Sequence, residues 1–392
     1  MKIALITPFL PYKNVPHAGG RYTYNILKNI SQQNQVTLVT RLTRGEAKHI
    51  TEISGMCEKI ITTFISENPK PYLKIVLKVW SYFLLYRSIN KTIKQTKYDI
   101  IQFEYSETAF FMKKIGNSIT ILNMHDVVSR RILVERNLAG NFIKKFADMI
   151  AYRIIFNLER KAVGKIDQAL VRSNQEKKFV EDKYQSTKVS VMPLVVDSIP
   201  DKTRSDPKKP TILFTGAFNR PYNEIAALHL IEKIFIPLKN DIKDLQLILA
   251  GNKPNKKLIQ ISKRDSSITI MGFVENLYDQ YLKSTLFVSP IYTGGGMIYK
   301  NMEAMNCGLP VITTEQANEA IGGKSDKHLL IANNPDEFIK EIKRLLGDNR
   351  FREMIGVGGM KFVQEKYSST LIFKDYSDLI SNLIAGTKAK NE

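Results

Sequence analysis

The chain has 392 residues, 43% apolar and 24% charged, with 21 Gly and 15 Pro. That composition excludes a wholly disordered, collagen-like or coiled-coil protein, and the length predicts two domains. Two Cys, Cys57 and Cys307, are too few for a disulfide framework or an all-Cys zinc site, which fits a reducing compartment. The net charge of +20 is uneven: residues 1–197 carry 31 Lys and Arg against 16 Asp and Glu, residues 198–392 carry 27 against 22. A basic first half points to an anionic partner: lipid headgroups, a phosphate-bearing substrate or nucleic acid. A generally Lys-rich composition with no special partner is the plainer reading.

In chain order, Lys2 to Thr7 reads as a buried strand rather than a signal peptide, since Pro8 and Pro11 interrupt the apolar run and no small-x-small site follows. Gly19-Gly20 reads as a turn and Arg21 to Ile30 as a helix. Strands follow at Gln35–Thr40, Asp99–Phe103, Thr120–Met124, Gln168–Arg172 and Lys188–Met192. The stretch Asp197–Pro210, DSIPDKTRSDPKKP, is a linker by composition. Beyond it the alternation resumes, with strands at Thr211–Thr215, Leu245–Ala250, Ile268–Met271, Leu286–Ser289, Pro310–Thr313 and Leu329–Ile331. Helices are predicted at about Asn223–Pro237, Glu275–Lys283, Tyr299–Asn306, Pro335–Gly347 and Phe351–Lys366. Strands separated by helices argue for parallel βαβ units, hence two doubly wound α/β domains. Ligands bind such sheets beyond the carboxyl ends of the strands, and two facing domains would form a cleft there. The predicted division is 1–197, a linker 198–210, 211–366, and a closing helix 367–392 that packs back toward the first domain.

The most informative segment is Thr293–Thr314, TGGGMIYKNMEAMNCGLPVITT. Three glycines follow a strand and open a helix, where backbone N–H groups can approach an anion. Lys300 and Glu303 share one face of that helix. A lysine neutralises phosphate, and a carboxylate accepts two ribose hydroxyls.

This segment resembles the donor site of GT-B glycosyltransferases, especially family 4 and its exopolysaccharide branch: a Gly-rich loop, a helix carrying Glu-Ala-Met, then Gly-x-Pro-Val. ILFTGAFNRPYNEIAALHLI resembles the first strand–loop–helix of the donor domain, with Gly216, Pro221 and Asn223 in the family's spacing. PHAGGRYTYNI resembles the acceptor-side loop, NMHDVVSRR the branch's His-Asp-x-x-Ser element, and VMPLVVD the element before the linker. The resemblance covers nearly the whole chain and is loosest between residues 45 and 120. It implies a GT-B fold, two Rossmann-like domains facing across a cleft.

Carried over residue by residue, Glu303 matches the carboxylate that holds the ribose and Lys300 the lysine near the donor diphosphate. Gly294, Gly295 and Gly296 match the loop at the donor phosphate or sugar. Gly216, Arg220 and Asn223 complete the donor side. His125 matches the histidine near the transferred sugar, followed by Asp126. Gly19, Gly20 and Arg21 match the acceptor-side loop. One departure is plain: many family-4 enzymes have a Glu at the position of Gly295. Plainer readings stand beside these. Glu303 can be a surface carboxylate paired with Lys300, His125 a core histidine, Asp126 a helix cap, Arg220 a solvated residue, and Gly19-Gly20 a simple turn.

The resemblance implies transfer of a sugar from a nucleotide-diphosphate sugar, with retention, to a surface polysaccharide or lipid-linked glycan. Preorganised amides with Lys300 and Arg220 would stabilise the leaving diphosphate. No cofactor and no metal is expected: there is no Asp-x-Asp motif, and the five His are scattered. NEAIGGKS fails the phosphate-loop pattern because Asn318 stands at its first glycine, and no nucleic-acid-binding signature appears. Pro69–Tyr98 is basic and aromatic. It reads as a helix that is part core and part membrane-facing, so an anionic membrane surface is an expected partner. The expected location is cytoplasmic, peripheral on the inner face of the membrane. The alternatives are a soluble glycosyltransferase acting on a small molecule or protein, and a non-catalytic GT-B relative acting as scaffold.

Overall fold

The computed structural model describes residues 1–15, 18–66, 70, 73–113, 115–116, 118–138, 142–196, 204–205, 207–292 and 298–388. The chain divides into two compact units, Met1–Pro193 with Ile372–Glu392, and Leu194–Leu371.

The first unit is built on a seven-stranded sheet of β1 (Lys2–Thr7), β2 (Gln35–Leu42), β3 (Lys59–Phe64), β4 (Ile100–Glu104), β5 (Ile119–Asn123), β6 (Gln168–Val171) and β7 (Val189–Val191). Its order is β3-β2-β1-β4-β5-β6-β7, every pairing parallel. The second unit holds β8 (Thr211–Thr215), β9 (Gln246–Ala250), β10 (Ile268–Gly272), β11 (Leu286–Ser289), β12 (Val311–Thr313) and β13 (Leu330–Ile331). Its order is β10-β9-β8-β11-β12-β13, again parallel throughout. The two doubly wound α/β sheets predicted from the sequence are therefore present. Helices cover both faces of such a sheet, which is why β1, β4, β5, β6, β8 and β11 are buried at almost every position. The strand order reverses between β1 and β4 and between β8 and β11, and a crevice opens at each reversal.

The structure corrects several sequence expectations. Strand β3 was not predicted. It lies at the sheet edge with Lys59 and Phe64 exposed, so its KIITTF run lacks the continuous burial signal of its neighbours. Gly19 and Gly20 are not a turn before a helix; the helix begins at Ala18 and they form its first turn. The helix expected over Asn223–Pro237 runs on to Asp241. Leu230–Phe235 is π-helical, and Pro237 follows directly, at the start of the next α segment. Of the predicted linker, Arg204 and Ser205 are bonded to the second unit, through Ser284 O (3.0 Å) and Leu282 O (3.3 Å). The helix Ser369–Lys388 starts in the second unit and belongs to the first from Ile372 onward. The basic aromatic segment forms the helix Lys74–Gln95. Ser81, Leu85, Ile89 and Thr92 are its buried face, while Val76, Val79, Trp80 and Phe83 are exposed.

Candidate active site

In the second unit, the site residues gather where β8 and β11 end. Gly216 follows β8, and Arg220 precedes the helix Pro221–His229, whose Pro221 stands in its first turn. Asn223, one turn in, is buried; its Nδ2 donates to Ala217 O (3.0 Å). Its Oδ1 accepts from Lys300 Nζ at 2.6 Å, and that ammonium lies 4.4 Å above the Phe214 ring. A Cβ on Gly216 would stand 2.8 Å from both Asn223 Cγ and Lys300 Nζ, so only glycine leaves this corner intact. Burial lowers the Lys300 pKa to about 7, the Arg220 guanidinium adds repulsion, and Glu303 opposes both. Lys300 is thus poised to gain a proton when an anion arrives.

Glu303 sits on the buried helix Tyr299–Asn306. Tyr281 donates its hydroxyl to Glu303 Oε2 (3.2 Å) and accepts from Thr215 Oγ1 (3.1 Å). Burial, and then the charge of Glu303, drive the Tyr281 phenol far above its ordinary range, so it remains a donor. Arg220 is exposed and donates to the Tyr222 hydroxyl (3.1 Å). Gly216, Asn223, Arg220, Lys300 and Glu303 therefore share one end of one sheet. Gly294, Gly295 and Gly296 lie outside the described residues.

In the first unit, a second polar cluster stands where β1, β4, β5 and β6 end. His125 Nε2 meets Glu104 Oε2 at 2.6 Å, and both side chains are buried. Tyr105 stacks on the His125 ring at 3.8 Å and Tyr22 meets it edge-on at 5.2 Å. Tyr105 has φ +68°, a left-handed conformation that costs a bulky residue about 1–3 kcal/mol and that its surroundings must hold. A Cβ on Gly19 would lie 1.7 Å from the Tyr105 hydroxyl, so the first turn of helix Ala18–Ile30 reaches this cluster only because residue 19 is glycine. Gly20 and Arg21 occupy the same turn, Gly20 buried and Arg21 half-buried.

Asp126 points elsewhere, pairing with Arg131 at 2.7 Å. The amides of Val128 and Ser129 that open the helix Val128–Leu138 donate instead to Glu159, each at 3.0 Å, so the capping carboxylate comes from 31 positions away. Glu176 accepts from Arg172 N (2.9 Å) and Val127 N (3.4 Å). Burial first, then the charge of Asp126, push the Glu176 carboxyl up to about 7. Two buried carboxylates thus fix the segment that carries His125. Among the described residues, no group of three His, Cys, Asp or Glu is placed to hold a metal ion.

Sequence reading missed Glu104, Asn123, Arg172, Tyr281, Glu159 and Glu176. Only Glu104 left a signal: IIQFE puts Gln102 and Glu104 inside what otherwise reads as a fully apolar central strand.

Comparison with known proteins bears on the second unit first. Residues 209–348 match the family model of Glycosyl transferases group 1. An uncharacterized 44.6 kDa protein in the cps region of Klebsiella pneumoniae is 27% identical over 169 residues, 41% of this chain and 44% of the relative. The uncharacterized glycosyltransferase MJ1069 of Methanocaldococcus jannaschii is 27% identical over 157 residues, 39% of this chain and 38% of the relative. The chain thus spans less than half the length of the curated relatives it matches. Solved structures match over nearly the whole chain. Sucrose-phosphate synthase from Thermosynechococcus elongatus superposes with a TM-score of 0.73 at 16% identity, covering 98% of this chain and 99% of the other. Anabaena Alr3699/HepE in complex with UDP and glucose gives 0.69 at 14% identity, covering 97% and 100%. Residues 209–348 are thus similar to the group 1 glycosyl transferase model, and the two parallel Rossmann-like sheets give the chain the GT-B fold of these solved structures.

Proposed function

We propose that the chain transfers a sugar from a nucleotide-diphosphate sugar to a surface polysaccharide or lipid-linked glycan, with retention, without metal or cofactor, at the cytoplasmic face of an anionic membrane. The observation that carries this reading is the convergence of Gly216, Asn223, Lys300 and Glu303 at the end of β8 and β11, inside the matched domain. Glu303 is the ribose acceptor, its carboxylate oriented by Tyr281. Negative charge develops on the diphosphate as the bond to the sugar breaks. Lys300, buried and charged by that anion, and the exposed Arg220 offset it, the buried lysine most strongly because it is poorly solvated. The complex of HepE with UDP and glucose, a protein of the same fold, makes uridine nucleotides the first probes.

The membrane part rests on two exposed apolar faces. One is the outer face of Lys74–Gln95. The other opens the helix Phe142–Val163: Phe142 is 82% exposed and Ile143 75%, with Phe146, Ile150 and Ile154 also exposed and Lys144, Lys145 and Arg153 beside them. Apolar residues among cations suit a shallow seat in an anionic lipid surface. No helix among the described residues is long and apolar enough to cross a membrane.

Thermal stabilisation by a panel of nucleoside diphosphates and their sugars tests the donor reading, because a ligand of the folded state raises Tm. One base deepened by one sugar is the expected result, and Glu303→Ala is expected to shrink the shift. No shift with any member refutes the donor site. Co-sedimentation with phosphatidylglycerol-containing vesicles tests the surface: the double change Phe142→Ser with Phe146→Ser is expected to lower binding, and unchanged binding removes this helix from the contact.

A further inference from the structure

The buried polar cluster of the first unit has an order that the resemblance does not supply. Glu104 and Gln102 lie on the same face of β4, the central strand beside the sheet's reversal point, and both are fully buried. Three groups meet the Glu104 carboxylate directly, and a fourth acts through one of them. Gln102 Nε2 donates to Oε1 at 2.5 Å, Asn123 Nδ2 lies 3.1 Å from each oxygen, and His125 Nε2 meets Oε2 at 2.6 Å. The fourth acts through Asn123: Arg172 donates to Asn123 Oδ1 at 2.8 Å and to the Tyr22 hydroxyl at 2.9 Å. The amide of Gln102 is oriented in turn by Tyr376, whose hydroxyl donates to Gln102 Oε1. Tyr376 belongs to the C-terminal helix, 274 positions away.

We propose that Glu104 is a positioning residue for His125, and that Tyr376 of the C-terminal helix and Arg172 hold Glu104 in that role through Gln102 and Asn123. Against an ionised carboxylate the ring nitrogen Nε2 must carry a proton. The tautomer is thereby fixed, and Nδ1 is the nitrogen turned toward the first turn of helix Ala18–Ile30, 3.5 Å from where a Cβ on Gly19 would stand. Tyr105 stacked on one face and Tyr22 edge-on keep the ring from rotating. Among the described residues, the ionisable groups against the imidazole include Glu104 on β4, Tyr105 after it, Tyr22 on the first helix and, through Asn123, Arg172 after β6. A ring held in one tautomer and one orientation deepens the transferase reading, and the pairing rests on that reading only for its effect on turnover.

The pairing is tested by nitrogen-15 NMR of histidine-labelled full-length protein, with no substrate required. In the wild-type chain His125 is expected to hold its proton on Nε2, coupled to a slowly exchanging hydrogen. A wild-type ring protonated on Nδ1 alone overturns the proposal. In Glu104→Gln the Nε2–H signature is expected to be lost; an unchanged signature overturns the pairing, and the wild-type measurement stands if that variant fails to fold. The kinetic arm uses whichever donor the thermal panel identifies. Glu104→Gln is expected to lower kcat by about tenfold or more, with nucleotide affinity unchanged. A wild-type kcat in that variant overturns the positioning role. A chain with no transferase activity refutes the proposed function while the NMR arm still decides the Glu104–His125 pair.

Discussion

If the proposed donor site is the right one, the lowered pKa of Lys300 makes nucleoside diphosphate binding a proton-uptake reaction. Free Lys300, at about 7, is largely neutral above that pH because burial penalises its charge. A bound diphosphate favours the ammonium and lifts the pKa back toward the ordinary lysine range. Between those limits the complex holds one more proton than the free protein, so affinity falls as pH rises through the window. Well above 7 each pH unit costs about 1.4 kcal/mol, or tenfold, and since Lys300 is still half charged at pH 7, binding at pH 9 is expected to be about fiftyfold weaker than at pH 7. A lysine at its ordinary value would show almost no change over that range. Isothermal titration with the nucleoside diphosphate chosen by the thermal panel, at pH 7 to 9 in buffers of differing ionisation heat, measures the affinity and the protons taken up. Lys300→Met is expected to bind weakly at pH 7 and to lose the pH dependence. A flat wild-type profile, or a slope that survives in Lys300→Met, refutes this account of Lys300.

Other outcomes follow from the same geometry. Glu303→Ala should weaken nucleoside diphosphate binding by about 1.5–3 kcal/mol, the worth of hydrogen bonds to a charged group, and equal titration curves for the two proteins would remove Glu303 from the ribose. Tyr281→Phe leaves Glu303 without its oriented donor and should lose about 1 kcal/mol of that affinity, read by the same titration. Gly19→Ala forces the Tyr105 hydroxyl away from its place beside His125 and should lower stability to urea by about 1–3 kcal/mol. Glu176 has a folded pKa of about 7 against an ordinary 4.5, so the folded chain binds the extra proton. Its contribution is complete below the unfolded value and lost as pH rises through 7. Glu176→Gln should therefore remove about 3 kcal/mol of pH-dependent stability loss between pH 5 and 8, measured by urea unfolding across that range.

The amino-acid sequence alone determined the alternation of apolar strands and amphipathic helices, and with it the two parallel sheets. It also carried the proposed donor-side segment, because Gly216, Pro221, Asn223, Lys300 and Glu303 stand at short, fixed spacings along strand–turn–helix units. Such features depend on neighbours within a few positions, and period and turn chemistry report them directly. Edge strand β3 escaped notice because one face of it is half exposed. Only the tertiary structure decided that β4 lies beside β1, which brings Glu104 to His125, and that the C-terminal helix returns to place Tyr376 on Gln102. It likewise decided that Tyr281 reaches Glu303, that Glu159 rather than Asp126 caps the helix after His125, and that Lys300 is buried deeply enough to lose its charge near neutral pH. The reason is the same in each case. A buried polar group takes its partner and its charge from whatever the fold packs against it, and those partners come from strands and helices that no local pattern connects.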